Sequence, residues 1–289
     1  MNRFTLPEWV QQHLFQVHNL DSVPGDVLEQ IKSRLTKFNV EEDPEVSIVI
    51  PAYNEEKNLL QTLSSLSEIR TTYRTEILVV NNNSTDRTQD LLNACGVRSI
   101  FEPRQGISFT RQTGLENARG KYILNADADS IYPVGWVDVY VNALQDPAVS
   151  CVHGNHSFIP SKESSRFGLA CHELIAESMF KFRSKTRGFT NVLGFNFAFR
   201  KADGLKVGGF NTKRQRWQDG WMAMMLMQVG RIQRVTSPDA RVWTSDRRLI
   251  IDGGPSQAFM KRVKKHSRNL LKYAGIKSFD DNHDTPVKA

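Results

Sequence analysis

Residues 46–60 read VSIVIPAYNEEKNLL. The first seven form a near-continuous apolar, largely β-branched run, as expected of a strand buried on both faces. Polar residues follow, and Leu59, Leu60, Leu63 and Leu66 then recur at helical spacing. The pattern returns downstream. Residues 76–80 (EILVV) read as a second buried strand, and 81–86 (NNNSTD) as a polar turn. Asp86 and Gln89 have the spacing of a helix-capping pair ahead of Leu91 and Leu92. Residues 97–101 read as a short third strand, 108–119 as a helix stopped by Gly120, and 122–124 as a fourth strand. Strand and helix alternate here without a hairpin signal. That rhythm predicts an α/β fold with a Rossmann-like, mostly parallel sheet and helices on both faces. Ligands of such sheets bind beyond the carboxyl ends of the strands. Those ends carry Tyr53, Asn54 and Glu55, then Asn81, Asn82 and Asn83, then Asp127 and Asp129 of YILNADADS at 122–130. Three polar clusters are therefore expected on one rim.

The paired aspartates narrow the chemistry. Residues two apart on an extended chain face the same way. Two carboxylates so placed repel each other unless a proton or a cation intervenes. A bare D-x-D is more often a solvated acidic turn. Beside two other polar strand ends it reads instead as a site for a hard divalent ion, which takes its remaining ligands from water and phosphate.

Composition sets the outer limits. The 289 residues are 24% charged and 39% hydrophobic, as in a globular chain able to bury one large core or two small ones. No apolar run approaches the ~20 residues of a membrane-spanning helix. The opening MNRFTLPEWVQQHLF lacks the apolar core of a secretion signal. Cys95, Cys151 and Cys171 fit neither a zinc site nor a disulfide framework, so a reducing, cytoplasmic setting is expected. The formal charge of +7 suits phosphorylated ligands or anionic lipid. No aromatic interleaving or recognised module accompanies it, so a nucleic-acid partner is not expected.

Residues 1–44 read as a helical extension. Helices are expected over 7–18 and 24–38, each opened by proline. Trp9, Val10, Leu14 and Val17 stripe the first, and Val27, Leu28, Ile31 and Leu35 the second. Beyond 130 the pattern is mixed. Helices are expected over 136–144, 166–182 and 220–229. Strands are expected over 149–153 and 195–200, with one or two more in 232–245. A loop should fill 188–194 and a turn 208–210. A last helix at 257–273 carries Lys261, Arg262, Lys264, Lys265, Arg268 and Lys272 against Met260, Val263, Leu270 and Leu271. Its basic face is either solvated or laid on anionic lipid.

VSIVIPAYNEEKNL, VVNNNSTDRT and ARGKYILNADAD, followed by GFNFAFRKADGLKVGGF and WQDGWMAMMLMQVGRI, resemble in order the family 2 glycosyltransferases of the GT-A fold. The resemblance covers residues 46–245. It implies a GT-A domain at 45–250, with a nucleotide-binding half at 45–130 and a smaller, mixed acceptor half at 131–250. Residues 251–289 are then a basic helix and tail. By the same resemblance Pro51, Ala52, Tyr53 and Glu55 line the nucleotide pocket, with Tyr53 near the base. Asn81 and Asn82, with Asn83 beside them, stand where many members carry two aspartates that hold base and ribose. Arg111 faces base or phosphate. In the Asp127-Ala128-Asp129 motif, Asp129 binds Mn2+ or Mg2+ and Asp127 holds the ribose or shares the metal. Asp219 matches the catalytic base, and Gln218 stands where the family often has glutamate. His153, His156, Asn196, Arg200, Trp217, Trp221, Arg247 and Arg248 are candidates for contact with acceptor, sugar or diphosphate.

The implied activity is metal-dependent, inverting transfer of a sugar from a nucleotide-diphosphate donor. A UDP-sugar is the common case in the family. The acceptor would be a hydroxyl on a glycan or lipid-linked precursor, as in cell-envelope polysaccharide synthesis, with peripheral contact at the inner face of the membrane. The chemistry needs these residue types. A cation neutralises the leaving diphosphate, and one base takes the acceptor proton from the opposite face. Two other readings stay open. One is transfer to a polyprenyl phosphate. The other is a catalytically silent nucleotide-sugar-binding module, to which the amides at Asn81, Asn82 and Gln218 give weight.

Overall fold

The protein is described by a computed structural model covering residues 3–251 apart from 18, 41, 42 and 215. Its ten strands are β1 (Val46–Ala52), β2 (Thr75–Asn81), β3 (Ser99–Phe101), β4 (Tyr122–Asn125), β5 (Ser130–Ile131), β6 (Val149–His153), β7 (His156–Ile159), β8 (Phe197–Arg200), β9 (Arg231–Arg234) and β10 (Val242–Ser245). Every residue of β1 and β2 is buried, as their apolar runs require. Seven strands form one sheet in the order β3-β2-β1-β4-β8-β6-β9. β1 pairs in parallel with β2 and β4, β2 with β3, and β6 with β9. β8 runs antiparallel to β4 and β6. The expected α/β, mostly parallel sheet is thus the observed one, and its antiparallel β8 joins the two halves of the chain.

Among the described residues ten α-helices accompany it: α1 (Glu8–Gln11), α2 (Gly25–Leu35), α3 (Leu59–Ser67), α4 (Thr88–Cys95), α5 (Ile107–Asn117), α6 (Trp136–Leu144), α7 (Arg166–Arg187), α8 (Lys201–Lys206), α9 (Gln218–Leu226) and α10 (Arg247–Ile251). Strand alternation divides the core into two layers. Ile48, Ile50, Ile77, Val79 and Leu124 meet α2, α3, α4 and α6 on one face. Val49, Leu78, Val80 and Ile123 meet Leu115 of α5 and Met222 and Leu226 of α9 on the other. At Gly114 a Cβ would lie 2.4 Å from Val49 Cγ1, so only glycine lets α5 approach the sheet this closely.

The structure differs from expectation in two places. Over 7–18 only one helical turn forms, α1. Val10 packs with Ile131 and Trp243, whereas Phe15 and Val17 reach the main core, and no single straight helix serves both. Residues 24–38 are helical as expected, ending in a tighter turn at Thr36–Phe38, and bury Ile31, Leu35 and Phe38 in that core. A second sheet, β5-β10-β7, was not expected, because strands of two and four residues carry too little pattern. The helix expected at 257–273 lies outside the described residues. No helix among the described residues is long and apolar enough to cross a membrane.

Candidate active site

A cavity of about 450 Å³ opens at the carboxyl ends of β1, β2 and β4. The left-handed backbone of Asn54 (φ 53°) turns the chain there. Asn54 Oδ1 accepts from the Thr85 amide at 2.8 Å, which ties the first rim loop to the second. Of the residues expected from sequence, Pro51, Ala52, Tyr53, Glu55, Asn82, Asp127, Ala128, Asp129, Arg247 and Arg248 line this cavity. Gln105, Gly106, Ile107, Thr110 and Ile251 line it too, and the sequence reading missed them.

One end of the cavity is acidic. Arg247 Nη2 donates to Glu55 Oε1 at 2.7 Å and to Asp129 Oδ2 at 3.2 Å. Asp127 Oδ1 accepts from Arg111 Nη2 at 2.7 Å, and the Asp127 amide donates to the Tyr132 hydroxyl at 2.9 Å. Burial, then repulsion from Asp127 and Glu55, pushes the Asp129 carboxyl up to about 6, against the pull of Arg247 and Arg248. A carboxyl held up in this way favours a nearby cation. All-oxygen donors suit a hard ion such as Mg2+ or Mn2+. Among the described residues no three His, Cys, Asp or Glu form a complete cage. Asp127 and Asp129 would therefore leave most positions to water and diphosphate, as is usual for Mg2+.

Asp219 comes from the other half of the chain. It sits in the first turn of α9, two residues after Trp217, whose backbone is left-handed (φ 61°). Its Oδ1 accepts from the Gly220 amide at 2.9 Å. Burial raises its pKa, and the Arg111 guanidinium is the chief opposing influence. Arg111 is itself buried. A Cβ on Gly194 would lie 2.6 Å from Arg111 Nη2 and 3.4 Å from Asp219 Oδ2, so the bare backbone of Gly194 allows the two to approach. Arg111 thus stands between Asp127 and Asp219. Trp217 is 40% exposed and meets Phe189 edge-on, whereas the Trp221 ring lies 4.2 Å from the Arg214 guanidinium.

The other candidates are held elsewhere. Asn196 is buried in a hub: Oδ1 accepts from Trp136 Nε1 and Tyr140 Oη, while Nδ2 donates to the Asn155 and Ala240 carbonyls. His153 is buried, and burial with Arg234 nearby pushes it down to about 4, so it is neutral at pH 7. The His156 ring packs among Phe158, Phe180 and Phe195. Arg200 binds Asp203 and the Leu144 carbonyl. Asn81 Nδ2 donates to Gln89 Oε1 and its Oδ1 accepts from the Ser84 amide. Asn82 Nδ2 donates to the Glu102 and Arg104 carbonyls, and its Oδ1 accepts from the Gly106 amide. Two carbonyls directed at one group demand a donor there, which explains why an amide and not a carboxylate occupies position 82. Asn83 is exposed, with left-handed backbone (φ 55°).

The family model for glycosyl transferase family 2 matches residues 47–204. The probable glycosyltransferase YdaM of Bacillus subtilis is 30% identical over 192 residues, which cover 61% of this chain and 45% of that protein. The chain thus spans less than half the length of that curated relative. Among solved structures, S. aureus TarS 1-349 in complex with UDP superposes with a TM-score of 0.56 at 18% identity, over 70% of this chain and 60% of that one. Glucosyl-3-phosphoglycerate synthase of Mycobacterium tuberculosis, with Mn2+, UDP-glucose and phosphoglyceric acid, gives 0.53 at 17%, over 89% and 86%. At these identities the structural likeness is one of fold.

Proposed function

The chain belongs to glycosyl transferase family 2, and from that premise we propose that it is a metal-dependent, inverting glycosyltransferase. It takes a sugar from a nucleotide-diphosphate donor, with UDP-sugars first among the candidates, and transfers it to a hydroxyl of a glycan or lipid-linked acceptor. One observation carries the proposal. Asp127 at the cavity and Asp219 from the second half meet at Arg111, and Asp129 lies beside Asp127. The Mn2+ and UDP-glucose bound by the mycobacterial synthase and the UDP bound by TarS support the reading of the donor end.

In this proposal Asp127 and Asp129 hold the divalent ion and its diphosphate. When bound, the ion neutralises charge growing on the leaving group. Arg247 and Arg248 turn from the acidic rim to the diphosphate oxygens. Tyr53, 51% exposed on the cavity wall, offers a face to the base. Asp219 takes the proton of the acceptor hydroxyl, and its raised pKa makes it a better base than an ordinary carboxylate. Trp217 lies beside Asp219, where its exposed ring suits a sugar acceptor. The basic residues Lys261 to Lys272 would rest on anionic lipid if the acceptor is membrane-anchored.

A thermal-shift panel of UDP-, GDP- and dTDP-sugars with and without Mn2+ tests the proposal. A Mn2+-dependent rise with one of them is expected. Asp219→Asn should keep that rise and lose turnover. No Mn2+-dependent rise with any donor at millimolar concentration would overturn the proposal, and turnover that survives in Asp219→Asn would remove the base.

A further inference from the structure

We infer that Gln105 reads the base of the nucleotide, selecting bases that present a ring N–H (uracil, thymine, guanine) over cytosine and adenine. The inference rests on the transferase reading of the cavity and names which donors it admits. Its starting point is that the amides at 81 and 82 are engaged elsewhere. Asn82 uses both donor hydrogens on the Glu102 and Arg104 carbonyls, at 3.0 and 2.7 Å, and its oxygen receives the Gly106 amide at 2.8 Å. Asn81 is bound at both ends of its amide to Gln89 and Ser84. Asn82 therefore acts as a staple for the loop at 102–106, and that loop delivers Gln105 to the cavity wall.

Gln105 is held in one orientation. Its Nε2 donates to the Asn82 carbonyl at 2.8 Å and to the Asn83 carbonyl at 3.2 Å. Only the NH2 end of an amide can satisfy two carbonyl oxygens, so the orientation follows from chemistry. Oε1 is then directed away from both. It has no hydrogen-bond partner among the described residues, and Gln105 is exposed. An amide whose donors are taken is a pure acceptor. Its neighbours on this wall do not compete: the Gly106 amide is bound to Asn82, Thr110 Oγ1 donates to the Gly106 carbonyl, and Ile107 is apolar. Across the same cavity Tyr53 supplies an aromatic face.

A lone acceptor discriminates by the proton it meets. Uracil, thymine and guanine carry a ring N–H on their pairing edge. Cytosine and adenine present a bare ring nitrogen there and carry their donor on the displaced exocyclic amino group, so an acceptor placed at the ring position meets a lone pair. UDP and CDP differ only on that edge, so their affinity ratio isolates the contact.

The test is calorimetric titration of UDP, GDP, CDP and ADP, each with Mn2+, into the full chain and into Gln105→Leu. The wild type should bind UDP about tenfold more tightly than CDP. Gln105→Leu should bring the two within about twofold by weakening UDP, and GDP with it, while CDP and ADP change little. Equal binding of UDP and CDP by the wild type would overturn the inference, as would a ratio that survives in Gln105→Leu. Equal loss of all four nucleotides in Gln105→Leu would make Gln105 a support of the loop and overturn it too. Absence of binding by any of the four to the wild type would fall instead on the transferase reading, and the inference would go with it.

Discussion

Arg111 is the residue on which the site turns. Its guanidinium donates to Asp127 and Asn125 and is the main charge opposing the burial of Asp219. Arg111→Met leaves two part-buried carboxylates without their shared cation. Breaking such a pair destabilises by about 3 kcal/mol, to be read from urea unfolding at neutral pH. The sign of the kinetic effect follows from the same charge. Asp219 already has a raised pKa, and removing a nearby cation raises it further. The acid limb of the kcat/KM profile should therefore move to higher pH in Arg111→Met. A limb that stays in place or moves down would separate Arg111 from the base. Arg111→Lys should rescue only in part, because a single ammonium cannot serve Asp127 and Asp219 in the fixed geometry of a guanidinium.

At the scale of elements, α10 carries Arg247 and Arg248 to the cavity, and Asp246 just before it anchors the helix. The Asp246 carboxylate is buried and accepts from the Ser161 amide, Ser161 Oγ and Ser164 Oγ in the loop between β7 and α7. Asp246→Ala should lower stability by about 2 kcal/mol through the donors it leaves unmet. It should also raise the donor KM about tenfold while changing kcat little, since Arg247 and Arg248 lose their platform. Steady-state kinetics decides this, and an unchanged KM would remove α10 from donor binding. The elements differ in how well they could be read. β1, α6 and β6 fall at the expected residues because each is a buried run with clear ends. β5, β7 and β10 depend on pairing between distant short segments, and α1 is cut short by two separate packing targets. In the cavity, Tyr53, Glu55, Asp127 and Asp129 were legible because they end strands. Gln105 was not, because its place depends on the hydrogen bonds of Asn82 to a loop some twenty residues away. Sequence equally gave no sign that Asn196 has its donors engaged in the core.

Across the whole molecule, the antiparallel β8 between β4 and β6 sets the two halves into one sheet. α5 and α9 then share the same core face, which brings Arg111 and Asp219 together. In the proposed function, donor and acceptor chemistry consequently face a common point, with the acidic rim of Glu55, Asp127 and Asp129 on the donor side. In that proposal this rim holds a metal-bound diphosphate. Titration of Mn2+ into the protein with UDP, followed by the electron paramagnetic resonance signal of free Mn2+, tests it most directly. The signal should fall to one bound ion per chain for the wild type and remain at the level of Mn2+ with UDP alone for Asp129→Asn. Equal Mn2+ uptake by the wild type and Asp129→Asn, or none by the wild type, would contradict the claim.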